Sequence, residues 1–408
     1  MGNEKHEPNL REGEDALSQG GACAASPARP RLLTRRSFAG LGACAFASVM
    51  VGGLFGCSSG DGAGEQKGDG AGDPAEAPKS ETRTVTNLDG STIEVPAEVT
   101  GVAAIFGPSY ERVVAVGAED TIVCDGDFHI DGWPWSNVVY RRINDVPGIP
   151  NAHSDLNVED LVAQGVQVVF CFPNPEQAEA INNAGMVAVP SASTGAFRDI
   201  ADTVTLYANV YGTEDALKRA EAYGAYFDET VEMVRERTAG LSDADRPSVY
   251  LAYTDLLHGY GAKSDMVEVI DLAGGVLASI DLEGSSNIEV TAEQLIAWNP
   301  DYVFVDHAGS SGNASAEDAI AEALATGDFN TVAAVQNDQV LATPTGVFFW
   351  DAGIQKILYL VYIAKTIHPD LFEDVDMKEM LVDFYAQFYD YDLTDDEAER
   401  ILNHQDPA

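Results

Sequence analysis

The sequence predicts an α/β protein of two Rossmann-like lobes joined by a long rigid backbone helix, with a ligand cleft between the lobes. Three observations predict it. Residues 157–170, NVEDLVAQGVQVVF, are echoed without a gap by residues 291–304, TAEQLIAWNPDYVF, so one helix–strand unit occurs twice. On either side of a central helical stretch, short apolar runs alternate with helical segments, the order that builds parallel sheets. Between them, from Glu214 to about Ala239, there is no proline and one glycine, enough for a helix of about 40 Å.

The elements follow in order. Residues 1–56 read as a twin-arginine lipoprotein signal peptide: Arg35 and Arg36 precede an apolar stretch too short to span a bilayer. It ends in Leu54-Phe55-Gly56-Cys57, which resembles a bacterial lipoprotein box and implies lipidation of Cys57. Residues 57–82 are the lipidated Cys and a flexible linker, rich in Gly, Asp, Ala, Glu and Pro. Such a tether reaches about 25–30 Å. The N-terminal lobe, 83–195, opens with a hairpin around Asp89-Gly90. VTGVAAIF, ERVVAVGA and TIVCDG then supply strand, helix and strand, followed by the first copy of the repeat and the strand MVAVP. Residues 196–243 form the backbone helix linker, broken at Gly212 and capped again by Thr213.

The C-terminal lobe with its C-terminal helices, 244–408, begins with the strand SVYLAYT and a loop, DLLHGYGAKSD. The helix MVEVIDLAGG, the second copy of the repeat, the helix EDAIAEALATG and the strand QVLATP come next. A helix from about residue 352 to 367 and two amphipathic helices, the second capped by Thr394, complete the chain. In the repeat itself, Asn157 and Thr291 occupy N-cap positions, and Gln294 completes a capping box with Thr291.

Composition excludes some functions. The hydrophobic fraction of 45% is ordinary for a globular protein, but the net charge is −43. Nucleic-acid binding needs clustered Lys and Arg, and so does attachment to anionic lipid; the membrane contact expected here is the lipid anchor only. Of five cysteines, Cys124 and Cys171 belong to the folded body, either as a disulfide or as two buried thiols. There is no GxSxG, P-loop or GxGxxG, so no catalytic residue is expected. His129, His153, His258 and His307 match no compact metal motif.

In open α/β lobes, ligands sit outside the carboxyl ends of the strands. The residues expected there form an aromatic cleft suited to a large, flat ligand: Tyr110, Trp133, Trp135, Tyr253, Tyr260, Phe349 and Trp350. Tyr253 and Phe348 suit a core equally well, whereas Trp133 and Trp135 flank a proline in a polar loop. Arg141 would contact an anionic ligand or pair with a surface carboxylate. His258 and His307 complete the expected ligand contacts.

At these residues the chain resembles a family. TVTNLDGSTIEVP, VVAVGAEDTIV, NVEDLV, VIDLAGG, EQLIAWNPDYVFV, PTGVFFWD and FYDYDLTDDE resemble the substrate-binding lipoproteins of ABC importers for iron–siderophore complexes, haem and vitamin B12. The resemblance covers nearly the whole folded body. It implies an extracytoplasmic, lipid-anchored receptor that captures an iron complex (siderophore or haem) or a corrinoid and passes it to an ABC permease dimer and its ATPase. It implies no enzymatic activity and no resident cofactor. It also implies that Glu159 and Glu293, at matching steps of the repeat, dock on arginines of the two permease subunits. The first copy departs from the family pattern at Gly165-Val166-Gln167. Two other readings use the same architecture: a chelatase- or nitrogenase-like enzyme, for which cysteine ligands are missing, and a sensory lipoprotein, which would not need both glutamates.

Overall fold

The structure, a computed structural model, describes residues 81–126, 134–152, 155–191, 195–306 and 316–408. The expected leader, Cys57 and nearly all of the linker lie outside them, as do Trp133 and His307.

The described chain opens with the hairpin β1 (Thr82–Thr86) and β2 (Thr92–Pro96), paired antiparallel. Asp89 closes the turn by accepting from the Ser91 N–H at 2.9 Å. The N-terminal lobe then alternates strands and helices: β3 (Val102–Ala104), α1 (Gly107–Ala115), β4 (Ile122–Gly126), α2 (Pro134–Val139) and β5 (Gly148–Ile149). It continues with α3 (Val158–Ala163), β6 (Val168–Cys171), α4 (Pro175–Asn183) and β7 (Val187–Pro190). The five strands run parallel in the order β5-β4-β3-β6-β7. All four residues of β6 are buried, as expected of a strand covered on both faces.

Helix α5 (Asp199–Tyr211) packs along α6 (Glu214–Thr238), the 25-residue backbone helix. The reversal between them is local chemistry. Gly212 takes φ 66°, open to glycine at no steric cost, and the Arg83 side chain leaves no room for a Cβ there. Thr213 then caps α6 by accepting from the Ala216 N–H at 3.2 Å. The buried stripe of α6 runs Ala216, Ala220, Tyr223, Phe227, Val231 and Val234, a helical repeat that seats it in the core.

The C-terminal lobe comprises β8 (Ser248–Ala252), β9 (His258–Gly259), α7 (Met266–Leu272), β10 (Val276–Leu277), β11 (Ile288–Glu289), α8 (Ala292–Trp298) and β12 (Tyr302–Val305). It ends with α9 (Ala316–Ala325), α10 (Ala333–Gln336), β13 (Val340–Ala342), α11 (Lys356–Ile367), α12 (Met377–Phe388) and α13 (Asp395–Leu402). Its sheet, β11-β9-β8-β12-β13 with β10 also beside β8, is mixed: β9 and β11 are antiparallel. Two expectations change here. Part of the expected loop DLLHGYGAKSD is strand, because Asp255 turns the chain by accepting from the Leu257 N–H at 2.8 Å and lets β9 return along β8. The helix expected from residue 352 starts only at Lys356, because the buried Glu111 side chain of α1 takes the Ile354 N–H at 2.9 Å.

Both copies of the repeat are helix-to-strand units, α3 into β6 and α8 into β12. Asn157 accepts from the Glu159 N–H at 3.1 Å, and Thr291 and Gln294 cap each other's backbone at 3.2 and 2.9 Å. Leu161 and Leu295, at equivalent steps, anchor the two helices in their lobes.

Candidate functional site

A cavity of about 220 Å³ lies where the two lobes meet. The N-terminal lobe contributes Phe106 and Pro108 from the start of α1 and Arg112 from its last turn, with Ser191 just after β7. Asp199, Ile200 and Thr203 line it from α5. The C-terminal lobe contributes Asp265 at the N-cap of α7, Asp351, Ala352 and Lys356 at the start of α11.

The two walls differ in charge balance. Arg112 is 6% exposed, and its Nε has no hydrogen-bond partner among the described residues. Nearby, the buried Tyr207 hydroxyl shares a 2.7 Å hydrogen bond with Ser191. Burial pushes the Tyr207 hydroxyl's pKa well up, with the Arg112 charge and the Ser191 contact acting in the other direction. Asp199 accepts from the Gly195 and Ala196 N–H groups at 3.1 and 3.3 Å. On the opposite wall, Lys356 is equally buried but paired, its Nζ 2.5 Å from Asp265 Oδ2. Asp351 accepts from the Tyr260 hydroxyl at 2.7 Å, and burial followed by the Asp351 charge raises the Tyr260 pKa.

Hydrogen bonds tie the lobes together beside the cavity. Glu111, next to Arg112 and fully buried, accepts from the Ile354 N–H and from the Tyr389 hydroxyl. Burial raises its pKa, and those two hydrogen bonds offset part of the rise. Glu268 of α7 accepts from the Phe197 N–H at 2.9 Å. Gly107 and Gly353 permit these approaches: a Cβ would strike the Phe348 ring at the first and the Glu111 carboxylate at the second.

The ring-lined cleft expected from the sequence is not what the described residues build. Tyr110, Trp135, Tyr260, Phe349 and Trp350 are all buried, and none of them lines the cavity. Tyr110 stacks on Tyr140 at 4.9 Å, and Tyr389 after α12 meets Tyr140 edge-on at 6.0 Å. The C-terminal helices thus cover rings that the strand-end rule assigned to ligand, and burying such area is itself stabilising. Trp135 turned inward because Pro134 begins a helix, a first-turn position that suits proline; its indole N–H donates to the Gln405 carbonyl at 2.9 Å.

Tyr253 is half-buried, 5.6 Å from Tyr260 edge-on. Arg141 is held by Glu119 at 3.0 Å and lies near Asp120 at 3.7 Å, the surface pairing that competed with a ligand role. His258 pairs with Asp255 at 2.9 Å. Cys124 and Cys171 are buried free thiols whose pKa burial pushes up to about 12, so they form no disulfide. Glu159 and Glu293 are exposed on α3 and α8, and no ion pair is formed by either among the described residues.

Sequence reasoning passed over Arg112, Lys356, Asp199 and Asp265. One signal was available. In a chain with only 23 Lys and Arg, Arg112 sits inside the apolar helical run ERVVAV, and Lys356 opens KILYLVYI. A cation that a helix carries into the core is more informative than a surface pair such as Arg141 and Arg142. Among the described residues, no group of three or more His, Cys, Asp or Glu is arranged to hold a metal.

The family model for periplasmic binding proteins matches residues 102–346, more than half of the chain. The chain belongs to the periplasmic binding protein family. This family supplies the extracytoplasmic solute receptors of ABC importers, which work with a permease and an ATPase and catalyse nothing themselves. The receptor is 25% identical over 276 residues to the molybdate-binding protein MolA of Haemophilus influenzae, covering 62% of this chain and 75% of that protein. Among solved structures, a periplasmic solute-binding protein from Veillonella parvula shares 24% identity at a TM-score of 0.64, covering 79% of the receptor and 97% of that chain. CeuE of Helicobacter pylori, solved with nickel and histidine, shares 19% identity at a TM-score of 0.63, covering 79% and 99%. No helix among the described residues is long and apolar enough to cross a membrane.

Proposed function

We propose that this receptor, anchored through a lipidated Cys57, captures a compact anionic metal species between its lobes and delivers it to a permease dimer on which Glu159 and Glu293 dock. The observation that carries the cargo reading is the buried, unpaired Arg112 Nε at the cavity wall. A guanidinium stays charged in proteins, and a buried N–H on it that no acceptor meets carries its full desolvation cost, about 1–3 kcal/mol. A ligand anion offsets that cost, and the planar fork suits a carboxylate or an oxyanion.

The size of the cavity points the same way. At about 220 Å³ it falls below the range of about 300–1,000 Å³ typical of pockets for drug-sized ligands. A metal oxyanion or a small ferric chelate suits such a volume better than haem or a corrinoid. The relatives named for molybdate and solved with nickel and histidine also handle compact metal species.

The test is a calorimetric titration of the receptor with molybdate, small anionic ferric chelates, a ferric hydroxamate, haem and cobalamin. Saturable binding of an oxyanion or a small anionic chelate is expected. Binding of haem or cobalamin, with no heat from any compact anion, would overturn the cargo reading.

A further inference from the structure

We infer that the permease reads each lobe through a carboxylate and an aliphatic side chain together, Glu159 with Val162 on α3 and Glu293 with Ile296 on α8. The inference rests on the docking role of the two glutamates and adds an apolar half to it.

Val162 and Ile296 fall on one another when the two copies of the repeat are aligned, and both are exposed, at 50% and 36%. A single exposed aliphatic residue needs no explanation. Here two of the eight large exposed apolar side chains among the described residues occupy the same step of the same unit in different lobes. Each lies three residues after its glutamate, and side chains three apart share a helix face. Ala163 and Ala297, one step further, are exposed too and too small to shield that face. The burial pattern around them also repeats: the glutamate is exposed, Leu161 or Leu295 is buried, and the next two residues are exposed. The lobe core explains the leucines and does not require an aliphatic residue on the outside.

The carboxylates set the charge of the partner. Glu159 and Glu293 form no ion pair among the described residues, and Asp160 adds a second exposed acid on α3. A complementary surface therefore carries a Lys or Arg beside an apolar notch, presented twice. The permease dimer of the proposed function would offer such a repeat, one surface to each lobe. The two halves of the contact act differently. Exposed charges steer the encounter and weaken with salt, whereas buried apolar contact holds the complex and does not.

The experiment measures binding of the whole receptor to its permease–ATPase complex in nanodiscs, at low and high salt. Cargo titration and thermal melting confirm that each variant is folded. The double variant Val162→Ser with Ile296→Ser is expected to lose about tenfold or more in affinity at both salt concentrations. The double variant Glu159→Gln with Glu293→Gln is expected to lose affinity mainly at low salt. Wild-type affinity in the serine double variant, alongside a weakened glutamine double variant, would sink the apolar half and leave docking intact. Wild-type affinity in both would remove the docking reading itself, and this inference with it.

Discussion

The two walls of the interlobe cavity carry one buried cation each, and the two cations are treated differently. Arg112 on the N-terminal wall keeps its Nε without a partner, while Lys356 on the C-terminal wall is closed on Asp265 at 2.5 Å. The difference separates two uses of a buried charge. A cation neutralised within its own lobe stabilises that lobe and has little left for a ligand. A cation with a buried N–H still open keeps a cost in the empty protein that a ligand acceptor would relieve. On this argument the N-terminal wall selects the cargo, and the C-terminal wall shapes the space.

Three substitutions break or sharpen that contrast. Arg112→Gln should have the largest effect, lowering cargo affinity by about 100-fold in calorimetry, as expected when one partner of a buried charged contact is lost. The same variant should lose little stability when empty, since it removes a buried N–H that lacks an acceptor along with the attraction to Glu111; a large loss of stability with unchanged affinity would make Arg112 a structural residue. Lys356→Met should do the reverse. It leaves Asp265 without its cation, at a cost of about 1–3 kcal/mol in denaturant unfolding, and moves cargo affinity less than about threefold.

The smallest effect concerns the tie between the lobes. Burial holds the Glu111 pKa above the ordinary carboxyl range, so the folded protein binds that proton more tightly than the unfolded chain. Stability from this group is therefore complete at acid pH and falls as pH rises from the ordinary carboxyl range through the raised value. Glu111→Gln keeps an acceptor for the Ile354 N–H but cannot ionise. Its denaturant midpoint should decline less with rising pH than that of the wild type. Parallel pH profiles for the two proteins would show that Glu111 does not titrate in the folded state as its burial implies.

Legibility followed the range of the interactions. The caps at Asn157, Thr213, Thr291 and Thr394, the break at Gly212 and the long α6 were readable because each depends on residues a few positions away. The antiparallel β9 was missed because a two-residue strand has too little pattern to separate it from a loop. Trp135 was misread for a different reason: Pro134 begins a helix there and does not break one. Tyr110, Tyr260 and Trp350 sit near strand ends as expected, but whether a ring there meets ligand or protein depends on what folds over it. For Tyr110 the covering group is the Tyr140–Tyr389 pair, whose second ring lies more than 200 positions away in sequence.

By itself, then, the sequence determined the duplicated helix–strand unit, the two lobes, the connecting helix and the outward placement of Glu159 and Glu293. Helical period, capping chemistry and strand burial are local, and a surface residue needs no distant partner to be identified. Only the tertiary structure decided which cations lie at the cavity and which of them is already paired. Arg112 and Arg141 look alike in a string of letters. They part company because Glu119 lies within reach of one, while the packing of α1 against α5 leaves the other's Nε buried without a hydrogen-bond partner among the described residues.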